Sequence, residues 1–434
     1  MTQRDHTHDP ALHSWVESAN AAGTDFPIQN LPFAAFSCHG ATPRIGVGIG
    51  DAIIDVAAAA PLLQGLAAQA AQACAEPVLN PLMALGGEAR RALRAALSHL
   101  LDARRTRQTL PLFPQRDVRL HTPVQIRGFT DFFASIDHAS NAGRLFRPEQ
   151  PLLPNYRYVP VAYNGRANSI LCGADIERPR GQLRPPGQEA PAYEACQRLD
   201  YEVELGAYIG QPSARWQPVP VEQAWEHIFG FSLLNDWSAR DMQSWEYQPL
   251  GPFLAKSFAT SVAPWIVTPE ALAPFRIPAR VRSADEPAPL PHLHGAADQA
   301  LGALDITMEL QLRSEAMARQ GIAPVTLSRG NTADLYWTYA QMVAHHTSNG
   351  STLDAGDLLG SGTVSGSLAS SWGSLLELTH GGKEPIRLPN GETRSFLADG
   401  DEVILRGYCE RPGCARIGFG ECTARILPAR EVRT

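Results

Sequence analysis

Residues 228–260 read IFGFSLLNDWSARDMQSWEYQPLGPFLAKSFAT, an apolar run that changes into a dense mixture of ionisable and aromatic side chains. The apolar part, residues 228–234, is typical of a buried β-strand. Beside Trp237 and Trp245 the chain then places seven polar side chains, namely Asp236, Arg240, Asp241, Gln243, Glu246, Tyr247 and Lys256. Ionisable groups crowded against aromatic rings need a cation or a ligand to be stable. The stretch therefore predicts a strand that ends in the wall of an active site.

The size and charge of the chain limit what it can be. With 434 residues it exceeds the length at which a single hydrophobic core stops growing, so we expect two domains. The formal net charge of -7 argues against nucleic acid as a partner and favours small-molecule chemistry.

The cysteines and the apolar segments predict the cellular compartment. Seven cysteines are scattered along the chain without a CxxC pair, so neither a zinc ribbon nor a disulfide framework is indicated, and reduced thiols are expected. The first residues, MTQRDHTHDP, are polar, and no apolar run reaches the length of about 18 residues that a membrane helix needs. We expect a cytoplasmic protein without a membrane segment.

The composition of the chain changes near residue 110. Residues 32–55 alternate like short strands, and residues 56–105 are rich in Ala and Leu at helical spacing, so we expect a small β unit followed by two helices. Beyond prolines 111, 114 and 123 the sequence is strand-like and rich in Gly and Pro. We predict an N-terminal domain over residues 1–115 and a large, mainly β domain over residues 116–434, with helices at residues 132–146, 221–229 and 333–347.

Four carboxylates are candidates for a metal site. Glu202 and Glu204 lie in LDYEVELGAYIG, residues 199–210, whose alternation predicts a strand with both acids on one face. Asp131 and Asp236 each end an apolar run and add two more oxygen donors. An all-carboxylate set suits calcium, magnesium or manganese rather than zinc or copper. The same pattern fits a solvated sheet face that carries two charges.

His138 is the candidate general base. It follows Asp131 by seven residues, so on a helix the two side chains would project from one face. Histidine is suited to this task because its ordinary pKa lies near neutral pH. The commoner alternative is a histidine at the surface or in a structural hydrogen bond. Arg147 could bind a substrate carboxylate with two hydrogen bonds or pair with a neighbouring acid.

Two further patterns invite a functional interpretation that we do not adopt. His345 and His346 are adjacent, and because neighbouring residues on a helix point apart, we expect a structural or dimer role rather than a metal pair. Asp305 and Glu309 lie in the alternating segment LDITMELQL, which we interpret as a solvated sheet face.

Several segments taken together resemble the fumarylacetoacetase family, in order, from about residue 14 to about residue 427. They are TDFFASIDHASNAGRLFR, LDYEVELGAYIG, NDWSARDMQSWEYQPLGPFLAKSF, SGTVSG with GSLLELT, and the N-terminal DFPIQNLPFAAF with PRIGVGIGD. The resemblance implies a mainly β, α+β fold with a small N-terminal SH3-like domain. It further implies a large C-terminal mixed β-sandwich roll and assembly as a homodimer.

The resemblance also implies a role for each matching position. The calcium ligands would be Asp131, Glu202, Glu204 and Asp236, and a second ion, magnesium, would lie near Asp236, Lys256 and Thr260. Backbone oxygens would contribute to the second site, since the ammonium of Lys256 has no lone pair. His138 would accept a proton while Glu377 holds it, and developing negative charge would face Arg240, Gln243 and Lys256. The substrate would contact Phe133, Arg147, Tyr163, Gln243, Tyr247 and Thr363.

The implied activity is hydrolysis of a carbon–carbon bond in a ketonic substrate. It converts 4-fumarylacetoacetate to fumarate and acetoacetate, the last step of tyrosine and phenylalanine catabolism, with His138 activating water. Two alternatives remain, a related hydrolase of another diketo acid such as an acylpyruvate, and a non-catalytic, metal-stabilised binding dimer. Phe133 stands where the family has tyrosine, and Asn164 stands where its GYHGR motif has histidine, but neither change removes a metal ligand or the base.

Overall fold

The N-terminal strands form a five-stranded antiparallel sheet. The computed structural model describes residues 4–38 and 40–431. From one edge of this sheet to the other, the strands are Leu112–Pro114, Ala52–Asp55, Arg44–Ile49, Phe33–Ser37 and Arg119–His121. The last strand lies beyond residue 115, and the division of the chain at that residue stays a prediction.

Four α-helices pack on this sheet where the sequence predicts two. They are Val56–Ala59, Gly65–Ala73, Asn80–Ala84 and Gly86–Leu101. Pro61 interrupts the first because proline lacks the N–H that a helix interior needs. The last helix begins at Gly86, whose φ of +82° other residues rarely adopt and which sets this helix off from the one before it. The last helix buries Leu93, Leu97 and Leu101, spaced four residues apart as an amphipathic helix requires.

The centre of the protein is a seven-stranded mixed sheet. Its strands, in spatial order, are Ala162–Asn164, Phe129–Phe132, Leu358–Gly360, Val203–Ile209, Ile228–Asp236, Thr260–Val262 and Ile170–Leu171. The strand predicted at residues 228–234 is confirmed, and all nine residues of Ile228–Asp236 are buried. Since it runs to Asp236, that carboxylate lies on the sheet itself.

A second, five-stranded sheet packs against the central one. Its strands are Val325–Asn331, Thr307–Arg313, Glu402–Cys409, Ile417–Leu427 and Ile176–Glu177. Gly407 allows the close approach, because a Cβ there would lie 2.7 Å from Leu233 Cδ2. Four two-stranded ladders complete the β structure, namely Arg180–Leu183 with Ala192–Ala195, Leu199–Asp200 with Ser238–Ala239, Arg276–Ile277 with Ala303–Leu304, and Ile386–Arg387 with Thr393–Arg394. The predicted α+β, strand-rich fold class is confirmed.

Helix boundaries in the large domain differ from the predicted ones at their N-terminal ends. The segment 132–146 forms the helix Ile136–Phe146, which begins after Ser135 because the Ser135 hydroxyl accepts the N–H of His138. The segment 333–347 forms Tyr339–Thr347, capped by Thr338. The segment 221–229 contains the 3₁₀ helix Val221–Gln223 and the short α-helix Ala224–His227 before the strand starts. The other α-helices are Arg240–Glu246, Leu254–Ser257, Pro269–Leu272, Ala296–Leu301, Glu315–Arg319 and Leu375–Leu378.

The expectation of a solvated acidic face at Asp305 and Glu309 is wrong for Glu309. Its side chain is buried and lies 2.7 Å from Arg329 Nε on the neighbouring strand, and Asp305 precedes the strand Thr307–Arg313. Alternation in sequence does not distinguish a solvated face from one on which an acid pairs with an arginine. Within residues 4–38 and 40–431, no helix is both long and apolar enough to cross a membrane.

Candidate active site

Three carboxylates from three strands of the central sheet meet at one point. One oxygen from each of Asp131, Glu204 and Asp236 lies within 4.8 Å of the other two. The strand Leu358–Gly360 separates the strands of Asp131 and Glu204. Gly360 leaves room for both acids, because a Cβ there would overlap Asp131 Oδ1 and lie 2.9 Å from Glu204 Oε2. The structure thus brings together three of the four carboxylates that the sequence predicts as metal ligands.

The environment of this acidic triad fits a cation. The N–H of Gly362 donates to Asp131 Oδ1 at 3.2 Å and to Glu204 Oε2 at 3.1 Å. Glu204 Oε1 is buried, and no described residue donates a hydrogen bond to it. Burial, reinforced by the charge of the neighbouring carboxylates, raises the pKa of Asp131 and Glu204 well above the ordinary value. Buried carboxylate oxygens short of donors are the ligand set of a hard divalent ion.

Glu202 is held differently from these three acids. One of its oxygens lies 2.5 Å from Lys256 Nζ and the other lies 2.8 Å from Arg240 Nη2. Burial acts to raise its pKa, but Lys256 and Arg240 outweigh that effect and lower the pKa to about 2. Glu202 and Glu204 are both buried, so the alternative of a solvated face is wrong. The metal-ligand role of Glu202 stays a prediction.

The residues predicted for a second ion all gather on Asp236. Lys256 Nζ donates to its Oδ2 at 2.6 Å, and the Tyr163 hydroxyl donates to the same oxygen at 2.8 Å. Thr260 Oγ1 donates to Oδ1 at 3.2 Å. An ammonium has no lone pair for a metal, so Lys256 acts here as a counter-charge. The second ion itself stays a prediction.

His138 forms a hydrogen bond with Glu377. His138 Nδ1 lies 2.7 Å from Glu377 Oε2, and both side chains are buried. Because an ionised carboxylate can only accept, Nδ1 carries the proton and Nε2 is free to accept one. Burial opposes ionisation of Glu377, yet His138 and donated hydrogen bonds lower its pKa below the ordinary value. The bonds come from Asn141 to Oε1, and from Ser365 and Ser374 to Oε2.

These groups surround a cavity of about 580 Å³. Most of the predicted site residues line it, namely Asp131, Phe133, His138, Arg147, Tyr163, Glu202, Glu204, Arg240, Gln243, Tyr247, Lys256 and Thr363. Asp236, Thr260 and Glu377 lie behind this lining. Asp236 contacts the lining residue Lys256, and Thr260 contacts Asp236. Glu377 contacts the lining residue His138. The structure therefore brings the whole predicted set to one place.

Two polar groups of the lining have donors to offer to a ligand. Arg147 is half-buried, and its Nε has no hydrogen-bond partner among the described residues, while Nη2 donates to Pro151 O at 3.3 Å. The hydroxyl of Thr363 is buried and likewise unpaired within the described chain. Unpaired buried donors cost free energy unless a ligand satisfies them. Both lie where the substrate contacts are predicted.

Some residues of the site are absent from the sequence predictions. Asn141, Ser365 and Ser374 hold Glu377, and Asp200 accepts from Arg240 Nε at 2.9 Å. A signal for Asp200 exists, since it continues the alternation of Glu202 and Glu204 one step toward the N-terminus. No comparable signal marks the serines, which act across the fold.

His345 and His346 do not join the acidic triad. His346 Nε2 lies 2.9 Å from the hydroxyl of Thr130. Both histidines line an adjoining depression of about 890 Å³ whose lining contains no carboxylate. Among the described residues, the triad is the only group of three or more metal-binding side chain types within coordination range.

Family profiles match nearly the whole chain. Residues 29–123 match the profile described as Fumarylacetoacetase N-terminal, and residues 128–427 match the profile described as Fumarylacetoacetate (FAA) hydrolase C-terminal.

Individual proteins align over similar lengths. The chain is 43% identical over 420 residues to a fumarylacetoacetase of Homo sapiens, covering 94% of this chain and 98% of that protein. It is 45% identical over 418 residues to a fumarylacetoacetase of Caenorhabditis elegans, covering 94% and 97%. Among solved structures, a fumarylacetoacetate hydrolase from Exiguobacterium antarcticum superposes with a TM-score of 0.52 at 20% identity, covering 92% of this chain and 100% of that one. That last similarity concerns the fold alone.

Proposed function

The chain belongs to the fumarylacetoacetate hydrolase family, and we propose that it hydrolyses fumarylacetoacetate to fumarate and acetoacetate. The reaction cleaves a carbon–carbon bond between two carbonyl groups and is the last step of tyrosine and phenylalanine catabolism. The observation that carries the proposal is the His138–Glu377 pair beside the acidic triad in one cavity.

A divalent cation fits this chemistry and these ligands. Asp131, Glu204 and Asp236 would hold it, with Glu202 as a fourth ligand. When bound, such an ion supplies positive charge that polarises the diketone oxygens and stabilises the departing enolate. We propose calcium, with magnesium or manganese as substitutes, and a second magnesium ion near Asp236, Lys256 and Thr260. The all-oxygen donor set supports this choice.

His138 removes the proton of the attacking water. Its Nε2 is the unprotonated nitrogen, because Nδ1 donates to Glu377. The resulting hydroxide adds to one carbonyl carbon, and the bond to the neighbouring methylene breaks with its electron pair on the leaving carbon. The proton held on His138 then returns to that carbon, which completes acetoacetate. General base catalysis of this kind contributes about 10²–10⁴-fold in rate.

Three side chains face the negative charge that develops in this step. Arg240, Gln243 and Lys256 all line the cavity, and Arg240 Nη1 donates to Gln243 Oε1 at 3.1 Å. Charged donors held in place by the fold stabilise an oxyanion without reorganising during the reaction. Lys256 and Arg240 are already fixed by Glu202.

Other residues of the cavity lining suit the carboxylates of the substrate. Arg147 and Tyr247 line the cavity, and a guanidinium with an unpaired Nε can bind a carboxylate through two hydrogen bonds. Phe133 contributes an apolar edge, with its ring centroid 5.3 Å from that of His138. Tyr163 and Thr363 complete the predicted substrate contacts.

Location and assembly form part of the proposal. We propose a cytoplasmic homodimer that acts on a small diketo acid and not on nucleic acid or membranes. All seven cysteines lie in the described part of the chain and are free, which supports a reducing compartment.

Activity with and without metal tests the function. Protein stripped with a chelator is expected to leave the diketone absorbance of fumarylacetoacetate unchanged until calcium, magnesium or manganese is added. Undiminished hydrolysis without metal would contradict the proposal. A higher kcat/KM for acylpyruvates would favour the related diketo-acid hydrolase. His138→Ala should abolish turnover but keep metal binding, whereas the control His121→Ala, in the N-terminal sheet, should keep both.

A further inference from the structure

Asp200 is a fully buried carboxylate to which the proposed reaction assigns no role. Each of its two oxygens accepts two hydrogen bonds. Oδ1 accepts the backbone N–H groups of Tyr201 at 2.9 Å and Leu375 at 2.8 Å. Oδ2 accepts the N–H of Leu376 at 3.0 Å and Nε of Arg240 at 2.9 Å. The carboxylate thus joins a helix terminus to a guanidinium.

The helix terminus belongs to the residue that orients the base. Leu375 and Leu376 are the first two residues of the helix Leu375–Leu378, where N–H groups have no partner inside the helix. Glu377 is the third residue, and the preceding Ser374 hydroxyl donates to its Oε2 at 2.8 Å. The bonds from Asp200 therefore set the position from which Glu377 reaches His138.

The guanidinium belongs to the residue that faces developing charge. Arg240 Nη2 lies 2.8 Å from Asp200 Oδ2 and 2.8 Å from Glu202 Oε1, while Nη1 donates to Gln243. The N–H groups of a guanidinium form a rigid planar fork. Fixing Nε on Asp200 consequently fixes the direction of the two Nη groups at the cavity.

Asp200 is itself held by backbone pairing. The two-residue strand Leu199–Asp200 pairs antiparallel with Ser238–Ala239, and the N–H of Arg240 donates to Arg198 O at 3.0 Å. We propose that Asp200 is a positioning residue that couples Arg240 to the helix of Glu377. It keeps the charge-stabilising group and the acid that orients the base at a fixed spacing. This inference rests on the proposed function.

Asp200→Asn tests the coupling. The expected result is a fall in kcat of about 10–100-fold, the usual cost of losing a group that orients an active-site residue. KM is expected to stay within about three-fold, because Arg240 acts on charge that develops after the substrate binds. The affinity for Mn²⁺, measured by titration of the metal-free protein, should also stay within about three-fold, since Asp200 touches none of the triad.

Asp401→Asn is the matched control. Asp401 is also fully buried, accepts from Arg394 Nε at 2.8 Å and Nη2 at 2.9 Å, and accepts the N–H of Ala398 at 2.8 Å. It does not line the cavity. We expect a similar loss of thermal stability in both variants and a loss of kcat in Asp200→Asn alone. An equal loss of kcat in both variants would overturn the inference.

Asp200→Glu tests the position of the carboxylate apart from its charge. It also replaces Asp200→Asn as the test if that variant does not fold. It keeps the negative charge and both oxygens but displaces them by one methylene. A positioning role predicts a lower kcat with KM retained, whereas wild-type kcat in this variant would overturn it. If the wild type cleaves fumarylacetoacetate and both Asp200 variants match its kcat, the role of Asp200 is overturned and the proposed function still stands. An inactive wild type would overturn the proposed function and this role with it.

Discussion

His138 and Glu377 are 239 positions apart in the chain, and their side chains meet at a distance of 2.7 Å between Nδ1 and Oε2. The pair joins the helix Ile136–Phe146 to the short helix Leu375–Leu378. It determines which imidazole nitrogen can take a proton from water.

Glu377→Gln should therefore lower kcat by about 10³–10⁴-fold, because an amide can donate to Nδ1 and so favour the wrong tautomer. KM should change little, since Glu377 does not line the cavity. Steady-state kinetics on fumarylacetoacetate measure both. Glu402→Gln is the control, since Glu402 pairs with Arg313 in the second sheet. A kcat near that of the wild type would mean that Glu377 does not set the tautomer.

Glu204→Gln should stabilise the metal-free protein and reduce the further stabilisation that added Ca²⁺ gives to the folded state. One oxygen of Glu204 is buried without a donor in the described structure, so removing its charge relieves repulsion from Asp131 and Asp236. A bound ion stabilises the folded state by an amount that rises with the logarithm of the ratio of the free ion concentration to Kd. Thermal unfolding with chelator and with Ca²⁺ measures both quantities. Equal Ca²⁺-dependent shifts in variant and wild type would exclude Glu204 as a ligand.

Lys256→Met should destabilise the metal-free protein by about 3–5 kcal/mol, the usual cost of leaving buried charges without a partner. Its ammonium bridges Glu202 and Asp236, which lie 2.5 Å and 2.6 Å from Nζ. Urea unfolding gives the free energy. Lys383→Met, at an exposed site, is the control and should leave the free energy of unfolding nearly unchanged. Equal stability of the two variants would show that Glu202 and Asp236 do not depend on this charge.

Asp298 should make stability depend on pH. Burial raises its pKa from 3.8 to about 6, partly opposed by the Thr338 hydroxyl and by Arg276 and His294, and Glu222 adds to the increase. A carboxyl with a raised folded-state pKa contributes stability that is complete below pH 3.8 and lost as the pH rises through about 6. The loss amounts to roughly 3 kcal/mol for a shift of about two units.

Asp298→Asn removes this dependence, so its stability relative to the wild type should rise between pH 4 and pH 7 by roughly that amount. Urea unfolding at both pH values, with chelator present, measures the difference. Glu315→Gln, at an exposed site, should show no such trend. A difference between Asp298→Asn and the wild type that does not vary with pH would contradict the raised pKa.

The sequence predicts the convergence of Asp131, Glu204 and Asp236 because each lies on or at the end of an apolar strand. Period-two alternation determines the face on which a side chain lies, but not its partner. Glu202 lies on the predicted face, but its oxygens contact Lys256 and Arg240. These partners are visible only in the three-dimensional structure.

Helix starts and supporting residues are harder to predict for the same reason. The helix of His138 begins where the Ser135 hydroxyl accepts an N–H, and an apolar pattern that continues into the preceding strand hides that boundary. Ser365 contacts Glu377 through a loop, and Asn141 reaches it from another part of the chain. Such contacts depend on tertiary packing, which local periodicity does not contain.

Lys256 is one of two lysines in the chain, and the other, Lys383, is exposed. Amine-reactive reagents attack the neutral amine. Burial lowers the pKa of Lys256, but Asp236 and Glu202 outweigh it and keep the amine charged. Between these two lysines, acylation of the folded protein should therefore occur at Lys383 and reach Lys256 only when its carboxylate partners separate. The rate of labelling at Lys256 then reports how often the active site opens.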